Sequence, residues 1–205
     1  NFPRKSSGEI FCEVESCKRN KNGCIKNYRA AWRDEKRCVL KEGGMMSVTQ
    51  VLKRLIKLES DILYQKYASE DEPEFIYVEG KLPILISAPH GAAHTRNGKY
   101  KGEDEYTAAF AQLVAEEAGA HRMYACRKSR TDPNASKDAP YKEKVRKISN
   151  GNEIRFVIDL HGMWQHHEAG IELGTRNGKS CPDQKELIMH KTHHVAHLKR
   201  FKSHS

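Results

Sequence analysis

The sequence contains no run of apolar residues approaching the roughly 18 that a membrane-spanning helix needs. No basic segment followed by an apolar one near the first residue indicates a secretory signal. No internal repeat is visible, and the six cysteines include no close C-x-x-C pair. We therefore expect a cytoplasmic protein with reduced thiols and no membrane partner.

The net charge of +9 belongs to the two ends of the chain. Residues 1–44 carry +5 and residues 190–205 carry +4, whereas residues 45–189 are neutral. A nucleic-acid-binding face is expected to involve the folded core. The sequence therefore predicts no specific nucleic-acid partner, although the basic ends could bind polyanions nonspecifically.

Composition divides the chain into three segments. Residues 1–44 show no persistent helical or strand period, and we expect a loosely ordered basic segment. Its cysteines are Cys12, Cys17, Cys24 and Cys38. A structural zinc site at these cysteines, serving a nucleic-acid binder, is the weaker alternative. Residues 45–189 read as the folded domain, and residues 190–205 as a His/Lys-rich tail that we expect to be solvated rather than metal-binding.

Within residues 45–189, periodicity predicts alternating helices and strands. Helices are predicted over 47–68, with Ser47 and Gln50 as a capping box, over 104–118 with Gly119 as cap, over 140–148 and over 182–190. Strands are predicted over 75–79, 83–89, 121–126, 154–160 and 171–173, and a polar loop over 90–102. This alternation is typical of an α/β layer fold with a largely parallel sheet.

Two histidines directly follow the two most apolar predicted strands. His90 comes after residues 83–89, His161 comes after residues 154–160, and a glycine follows each histidine. Parallel strands lie about 4.8 Å apart, and ligand sites form beyond their carboxyl ends. The pattern therefore predicts that the two imidazoles converge on one metal ion, although a histidine that merely ends a strand is the alternative for each.

A catalytic zinc usually has three protein ligands and one open position. Glu103, Asp104 and Glu105 begin the helix that returns from the His90 loop, so their carboxylates are expected beside the histidines. Acids at a helix start also have the ordinary explanation of favouring its dipole. Asp159, two residues before His161 on the same strand face, is a candidate to orient that imidazole, although a carboxylate paired elsewhere is the alternative.

Four motifs in this order resemble the N-formylglutamate amidohydrolase family. They are PHGAAHTR (89–96), GEDEYT (102–107), SRTDPN (129–134) and VIDLHG (157–162). The likeness covers about residues 75–180. It implies a fold similar to zinc carboxypeptidases: a three-layer α/β/α, phosphorylase/hydrolase-like domain with a mostly parallel mixed sheet.

By this resemblance the metal ligands are His90, Asp104 and His161, and the metal is Zn²⁺. The position three residues before Thr107 selects Asp104 over Glu103. Substrate contacts are implied for Asp132 and Asn134, which match the family's D-x-N element. Arg130 is a candidate clamp for an acidic substrate group, since a guanidinium can meet a carboxylate bidentately, although a surface arginine beside a turn is the alternative.

The expected activity is zinc-dependent hydrolysis of a C–N amide bond in a small acidic N-acyl amino acid or short peptide-like substrate. Glu103 is the nearest candidate for the general base. His94 is a candidate for stabilising the oxyanion, although we favour an exposed loop histidine.

Only about 40 residues follow His161, so we expect the C-terminal part of the fold to be truncated. Arg176 is then the one late candidate for substrate binding. The rival hypothesis is a non-catalytic remnant of the same fold that binds a metal or ligand without cutting it.

Overall fold

The computed structural model describes residues 10–16, 46–151, 154–163 and 171–174, with only the backbone described for residues 10–16 and 171–173. Its helices are α1 (Val48–Glu59), α2 (Thr107–Ala118) and α3 (Pro140–Gly151). Its first strands are β1 (Ile10–Ser16), β2 (Leu63–Tyr67), β3 (Phe75–Val78), β4 (Leu82–Ala88) and β5 (His94–Arg96). They are followed by β6 (Lys99–Lys101), β7 (Ala120–Ala125), β8 (Arg127–Lys128), β9 (Phe156–Gly162) and β10 (Ile171–Gly174).

A six-stranded mixed sheet has the order β10-β1-β9-β4-β7-β3. The neighbours β1/β10, β4/β9 and β4/β7 are parallel, whereas β1/β9 and β3/β7 are antiparallel. Strands β2 and β8 form a separate parallel pair. The predicted α/β class, with a mixed sheet in which parallel neighbours outnumber antiparallel ones, is therefore confirmed.

The two apolar strands predicted to carry the histidines are parallel neighbours. Ile84 pairs with Phe156 and Ser87 with Asp159, so β4 and β9 run side by side toward the same edge. His90 lies just beyond β4 as predicted. The expectation that His161 follows its strand is wrong, because β1 pairs with β9 as far as Gly162 and keeps His161 within the ladder.

Alternate residues of β4 enter two different core clusters. One cluster joins β4 to α2 through Ile86, Ala88, Ala108, Ala111 and Ala115. The other joins β4 to α3 through Leu85, Tyr141 and Ile148. Four alanines of α2 are fully buried, namely Ala108, Ala109, Ala111 and Ala115, so this helix packs directly against the strands that lead to the two histidines.

Helix α2 begins at Thr107 rather than at the predicted Asp104. Tyr106 has a left-handed φ of 63°, which ends the loop before the helix. The buried carboxylate of Glu59 accepts hydrogen bonds from the backbone N–H groups of Tyr106 (2.8 Å) and Ala109 (3.2 Å). This remote side chain satisfies amides that would otherwise be unpaired at the helix start, and it fixes the loop that contains Asp104. Gly119 caps the helix in the left-handed conformation, as predicted.

The predicted helix over 47–68 is too long. The capping box of Ser47 and Gln50 is confirmed, but α1 ends at Glu59 and residues 63–67 form β2. The apolar pair at Ile62 and Leu63 fitted the helical period, yet the backbone N–H of Leu63 donates to the carbonyl of Cys126 (2.9 Å). Tertiary pairing with β8 therefore overrides the local pattern here.

Four further strands, β1, β5, β6 and β8, were not predicted. Residues 90–102, expected as a loop, contain the hairpin β5–β6, whose turn residues Asn97 and Gly98 have φ values of 52° and 71°. Asn-Gly is the usual pair for such a turn, so the signal was present in the sequence. Strand β1 lies in the segment 1–44, where no strand period was found, and it pairs with both β9 and β10.

Several expectations fall on residues outside the described ranges. These are the helix over 182–190, the tail at 190–205, Arg176 and the cysteines at 17, 24 and 38. The domain boundaries near residues 44 and 189 stay predictions for the same reason. Within the described ranges Cys126 is a free, buried thiol, and no helix there is long and apolar enough to cross a bilayer.

Gly91 allows α2 to pack closely beside His90. A Cβ at this position would lie 2.7 Å from both the Cβ of Ala108 and the carbonyl oxygen of Ala125. We expect Gly91→Ala to lower the free energy of unfolding by about 1–3 kcal/mol in urea titrations, as overpacking usually does. Gly151→Ala is the control, since a Cβ there has no neighbour within 4 Å. Unchanged stability in the Gly91 variant would contradict this packing.

Candidate metal centre

Three buried donor atoms meet where β4 and β9 end. The Nδ1 atoms of His90 and His161 lie 3.1 Å apart, and Oδ2 of Asp104 lies 3.5 Å from each of them. Each of the three residues is less than a tenth exposed. The structure thus brings together the predicted ligands in a group that can hold a metal ion.

The spacing of these atoms fits a small divalent cation. Ligand bonds of about 2.0–2.1 Å at tetrahedral angles place the ligand atoms about 3.3 Å apart, and the observed separations of 3.1 and 3.5 Å lie on either side of this value. Burial lowers the pKa of His90, but hydrogen bonds to Asp104 and Asp132 outweigh it and raise that pKa above its ordinary value. A cation between these residues would take the place of the proton that this pKa favours.

Backbone contacts bind Asp104 to its position. Its N–H donates to the carbonyl oxygen of His90 (2.8 Å), so two of the predicted ligands share a backbone hydrogen bond. The hydroxyl of Thr107 donates to the Asp104 carbonyl (2.6 Å). A Cβ on Gly162 would lie 3.2 Å from the Cβ of Asp104, so a glycine after His161 leaves room for the carboxylate. The motifs around residues 90, 104 and 161 are therefore packed against one another.

The outer face of His90 is held by Asp132. Nε2 of His90 lies 3.2 Å from Oδ1 of Asp132, a residue only 1% exposed. Burial raises the pKa of Asp132, but His90, Arg96 and two backbone N–H groups outweigh it and hold that pKa well below its ordinary value. An ionised carboxylate only accepts hydrogen bonds, so Nε2 of His90 carries a proton and Nδ1 is left to act as the donor atom for a metal.

The outer face of His161 is held by Asn134. The side-chain amide nitrogen of Asn134 lies 3.3 Å from Nε2 of His161. Asp132 and Asn134 belong to one turn, in which Oδ1 of Asp132 accepts from the Asn134 N–H (2.9 Å). The D-x-N element, expected to contact substrate, lies beside the outer nitrogens of the two histidines. A substrate contact of the half-buried Asn134 stays a prediction. A carboxylate that is 1% exposed and surrounded by donors has no surface left for a substrate.

A second group that could hold a metal, made of His90, His94 and Asp132, fits less well. The rings of His90 and His94 stack at 4.3 Å with an interplanar angle of 11°, so their in-plane lone pairs run side by side rather than converge. Arg96 already contacts Oδ2 of Asp132 and supplies a positive charge there. The first group is therefore the better candidate for the ion.

The expectation that His94 is an exposed loop residue is wrong. It is 3% exposed, on β5, beneath the ring of His90. Nε2 lies 3.4 Å from Oδ2 of Asp132 but lacks hydrogen-bond geometry. Burial, followed by the charge of His90, lowers the pKa of His94 to about 4, so its ring is neutral near pH 7.

The remaining candidates have other observed contacts. Glu103 is half-buried and accepts a hydrogen bond from Gln65 (3.2 Å). Asp159 lies half-buried on β9, paired with Ser87 in register. Arg130 is exposed, with its guanidinium carbon 4.7 Å from the ring centroid of Tyr67.

Sequence reasoning missed Arg96 and Glu59. Arg96 is two residues after His94, so on a strand both side chains point to the same face, and the Asn-Gly turn that follows could have indicated that strand. Glu59 had no comparable signal, because it reads as one more polar residue of an amphipathic helix.

Replacing His94 by phenylalanine should change how stability depends on pH. The folded-state pKa of about 4 lies below the ordinary 6.5, so the unfolded chain takes up this proton first as the pH falls. The contribution of His94 to the free energy of unfolding therefore decreases from pH 6.5 to pH 4, by on the order of 2–3 kcal/mol. We expect His94→Phe, which keeps a stacking ring, to lose less stability than the wild type between pH 7.5 and pH 4.5 in urea titrations.

The change in the free energy of unfolding between pH 7.5 and pH 9 is the internal control. His94 is neutral in both the folded and the unfolded chain over this range, so the two proteins should change equally. Equal losses of stability on acidification in the two proteins would show that His94 is not the group that resists protonation.

The chain was compared with models of known protein families, with curated proteins and with solved structures, and none of them matches. The likeness to N-formylglutamate amidohydrolases therefore rests on the four sequence motifs. In the structure, donor atoms from three of the motifs, those of His90, Asp104 and His161, lie 3.1–3.5 Å apart. Asn134, from the fourth motif, lies beside the outer nitrogen of His161.

Proposed function

We propose that this chain is a zinc-dependent hydrolase that cleaves the C–N amide bond of a small acidic N-acyl amino acid, resembling N-formylglutamate. The observation that supports it is the buried triangle of His90, Asp104 and His161, whose donor atoms are 3.1–3.5 Å apart. When bound, zinc would supply a water of lowered pKa and polarise the substrate carbonyl.

The donor set favours zinc over harder ions. Two imidazole nitrogens and one carboxylate oxygen suit zinc, whereas magnesium and calcium prefer oxygen ligands throughout. Asp132 accepts from the outer nitrogen of His90, which is the support that metal-ligating histidines usually have. Asn134 would give His161 the same support with its amide oxygen, rather than its nitrogen, turned toward Nε2. A site with three protein ligands leaves one position for water, as in catalytic zinc sites.

Glu103 and Arg130 would act on the substrate. Glu103, adjacent to Asp104 and oriented by Gln65, would accept a proton from the attacking water and return it to the leaving nitrogen. Arg130, exposed on the loop that also contains Asp132, would meet the acidic group of the substrate. Both residues stand in motifs that resemble the amidohydrolase family, Glu103 in GEDEYT and Arg130 in SRTDPN.

The proposal includes the three-layer, phosphorylase/hydrolase-like arrangement. Its support is the division of the core, in which α2 packs with Ile86 and Ala88 and α3 packs with Leu85. Adjacent strand residues point to opposite faces, so the two helices would cover opposite sides of the sheet. In such folds ligands bind at the carboxyl ends of parallel strands. His90 lies just beyond β4, and His161 is the second-last residue of β9.

Metal analysis of purified protein tests the centre directly. We expect His90→Ala and His161→Ala each to contain about one zinc ion per chain fewer than the wild type, because two ligands do not hold zinc tightly. His121→Asn is the matched control: this buried histidine on β7 hydrogen-bonds Tyr77 (2.8 Å) and belongs to neither metal group. Circular dichroism would verify that each variant is folded. Wild-type zinc content in both alanine variants would contradict the assignment.

Turnover tests the activity. We expect the zinc-loaded protein to release amine from N-formylglutamate, with Glu103→Gln lowering kcat by about 10²–10⁴-fold at unchanged zinc content, as removal of a general base does. Glu105→Gln, on the same loop, is the control and should keep kcat within about twofold. Release that persists in the presence of a strong chelator would rule out a metal mechanism. A protein that binds zinc but turns over no member of a panel of N-acyl amino acids would support the non-catalytic alternative.

A further inference from the structure

The two oxygens of Asp132 have different partners. Oδ1 lies 3.2 Å from Nε2 of His90 and accepts from the backbone N–H groups of Asn134 (2.9 Å) and Ala135 (2.8 Å). Oδ2 accepts from Nε of Arg96, and Nε2 of His94 lies 3.4 Å away without hydrogen-bond geometry. The amides therefore fix one oxygen, and Arg96 fixes the other.

Arg96 is also the countercharge of this carboxylate. Asp132 is 1% exposed, and within the described ranges no other lysine or arginine forms an ion pair with it. The side chain of Arg96 is 43% exposed, so its far end reaches solvent while Nε contacts the buried oxygen. A buried carboxylate without a cation would be costly to keep ionised.

We infer that Arg96 is a positioning residue for the metal centre, acting through Asp132 on His90. By holding Oδ2 it keeps Oδ1 on Nε2 of His90, which leaves Nδ1 of that ring directed at Asp104 and His161. The metal-binding part of this inference rests on the proposed function, whereas the orientation of His90 does not.

Loss of Arg96 would leave His94 as the nearest remaining neighbour of Oδ2. The carboxylate of Asp132 could then rotate toward His94 about Oδ1, which the backbone amides hold. This rotation would weaken the hydrogen bond between Oδ1 and Nε2 of His90. A guanidinium holds a carboxylate in one plane, and a lysine ammonium does so less strictly, so Arg96→Lys should retain part of the effect.

A two-bond ¹H–¹⁵N correlation spectrum of the metal-free protein reads the tautomer of His90 without any cation. At a pH above the titration of His90, where its ring is neutral, we expect the wild type to carry the proton on Nε2 of His90, and Arg96→Met to show a mixture of both tautomers. Lys99→Met is the matched control, because Lys99 faces Arg96 across the hairpin and its replacement changes the net charge equally. An unchanged His90 tautomer in Arg96→Met would overturn the inference.

The affinity for Co²⁺, followed by its visible spectrum, gives the second measurement. Changes to the groups that hydrogen-bond metal ligands typically lower metal affinity about 10–100-fold. We expect Arg96→Met to bind Co²⁺ about tenfold more weakly than the wild type, and Arg96→Lys to have an intermediate affinity. The affinity of Lys99→Met should change by less than about twofold. Arg96 acts through the carboxylate of Asp132, so in an Asp132→Asn background Arg96→Met should lower the affinity for Co²⁺ no further.

The outcomes separate the inference from the proposed function. A further tenfold loss from Arg96→Met in the Asp132→Asn background would overturn the inference while leaving the metal centre intact. Absence of Co²⁺ binding in the wild type would overturn the proposed function, and the tautomer of His90 would still decide the role of Arg96.

Discussion

The parallel register of β4 and β9 is the constraint on which the site depends. Pairing of Ser87 with Asp159 brings the ends of the two strands together, so His90, just beyond β4, and His161, near the end of β9, are neighbours. Glycines after both histidines admit α2 and the side chain of Asp104 into the same corner. A shift of this register by one residue would point one imidazole to the other face of the sheet and separate the donor atoms.

Around the candidate metal centre, acidic side chains alternate with histidine and arginine side chains. Asp104 lies on the inner side of the two imidazoles, Asp132 lies behind His90, and Arg96 lies behind Asp132. Two carboxylates less than a tenth exposed require positive partners, which an arginine, histidines and a cation would supply together. The order of these groups, rather than any one of them, makes the corner suited to a divalent ion.

The sequence predicted those parts of the structure that depend on interactions between residues close together in the chain. The apolar strands before His90 and His161, the capping box at Ser47 and the cap at Gly119 all follow from periodicity or side-chain chemistry. The short α1, the strand β1 and the burial of His94 could not be read in this way, because they depend on contacts with distant segments: β2 with β8, β1 with β9, and His94 with Ser129. The support of the histidines by Asp132 and Asn134 was hidden for the same reason: D-P-N also reads as an ordinary turn.

The X-ray absorption spectrum of the zinc-loaded protein at the zinc edge tests the central claim most directly. The account predicts a first shell of nitrogen and oxygen atoms at about 2.0–2.1 Å, with the outer-ring scattering of two imidazoles and no sulfur. Sulfur atoms at about 2.3 Å would instead place the ion at cysteines and contradict a centre at His90, Asp104 and His161.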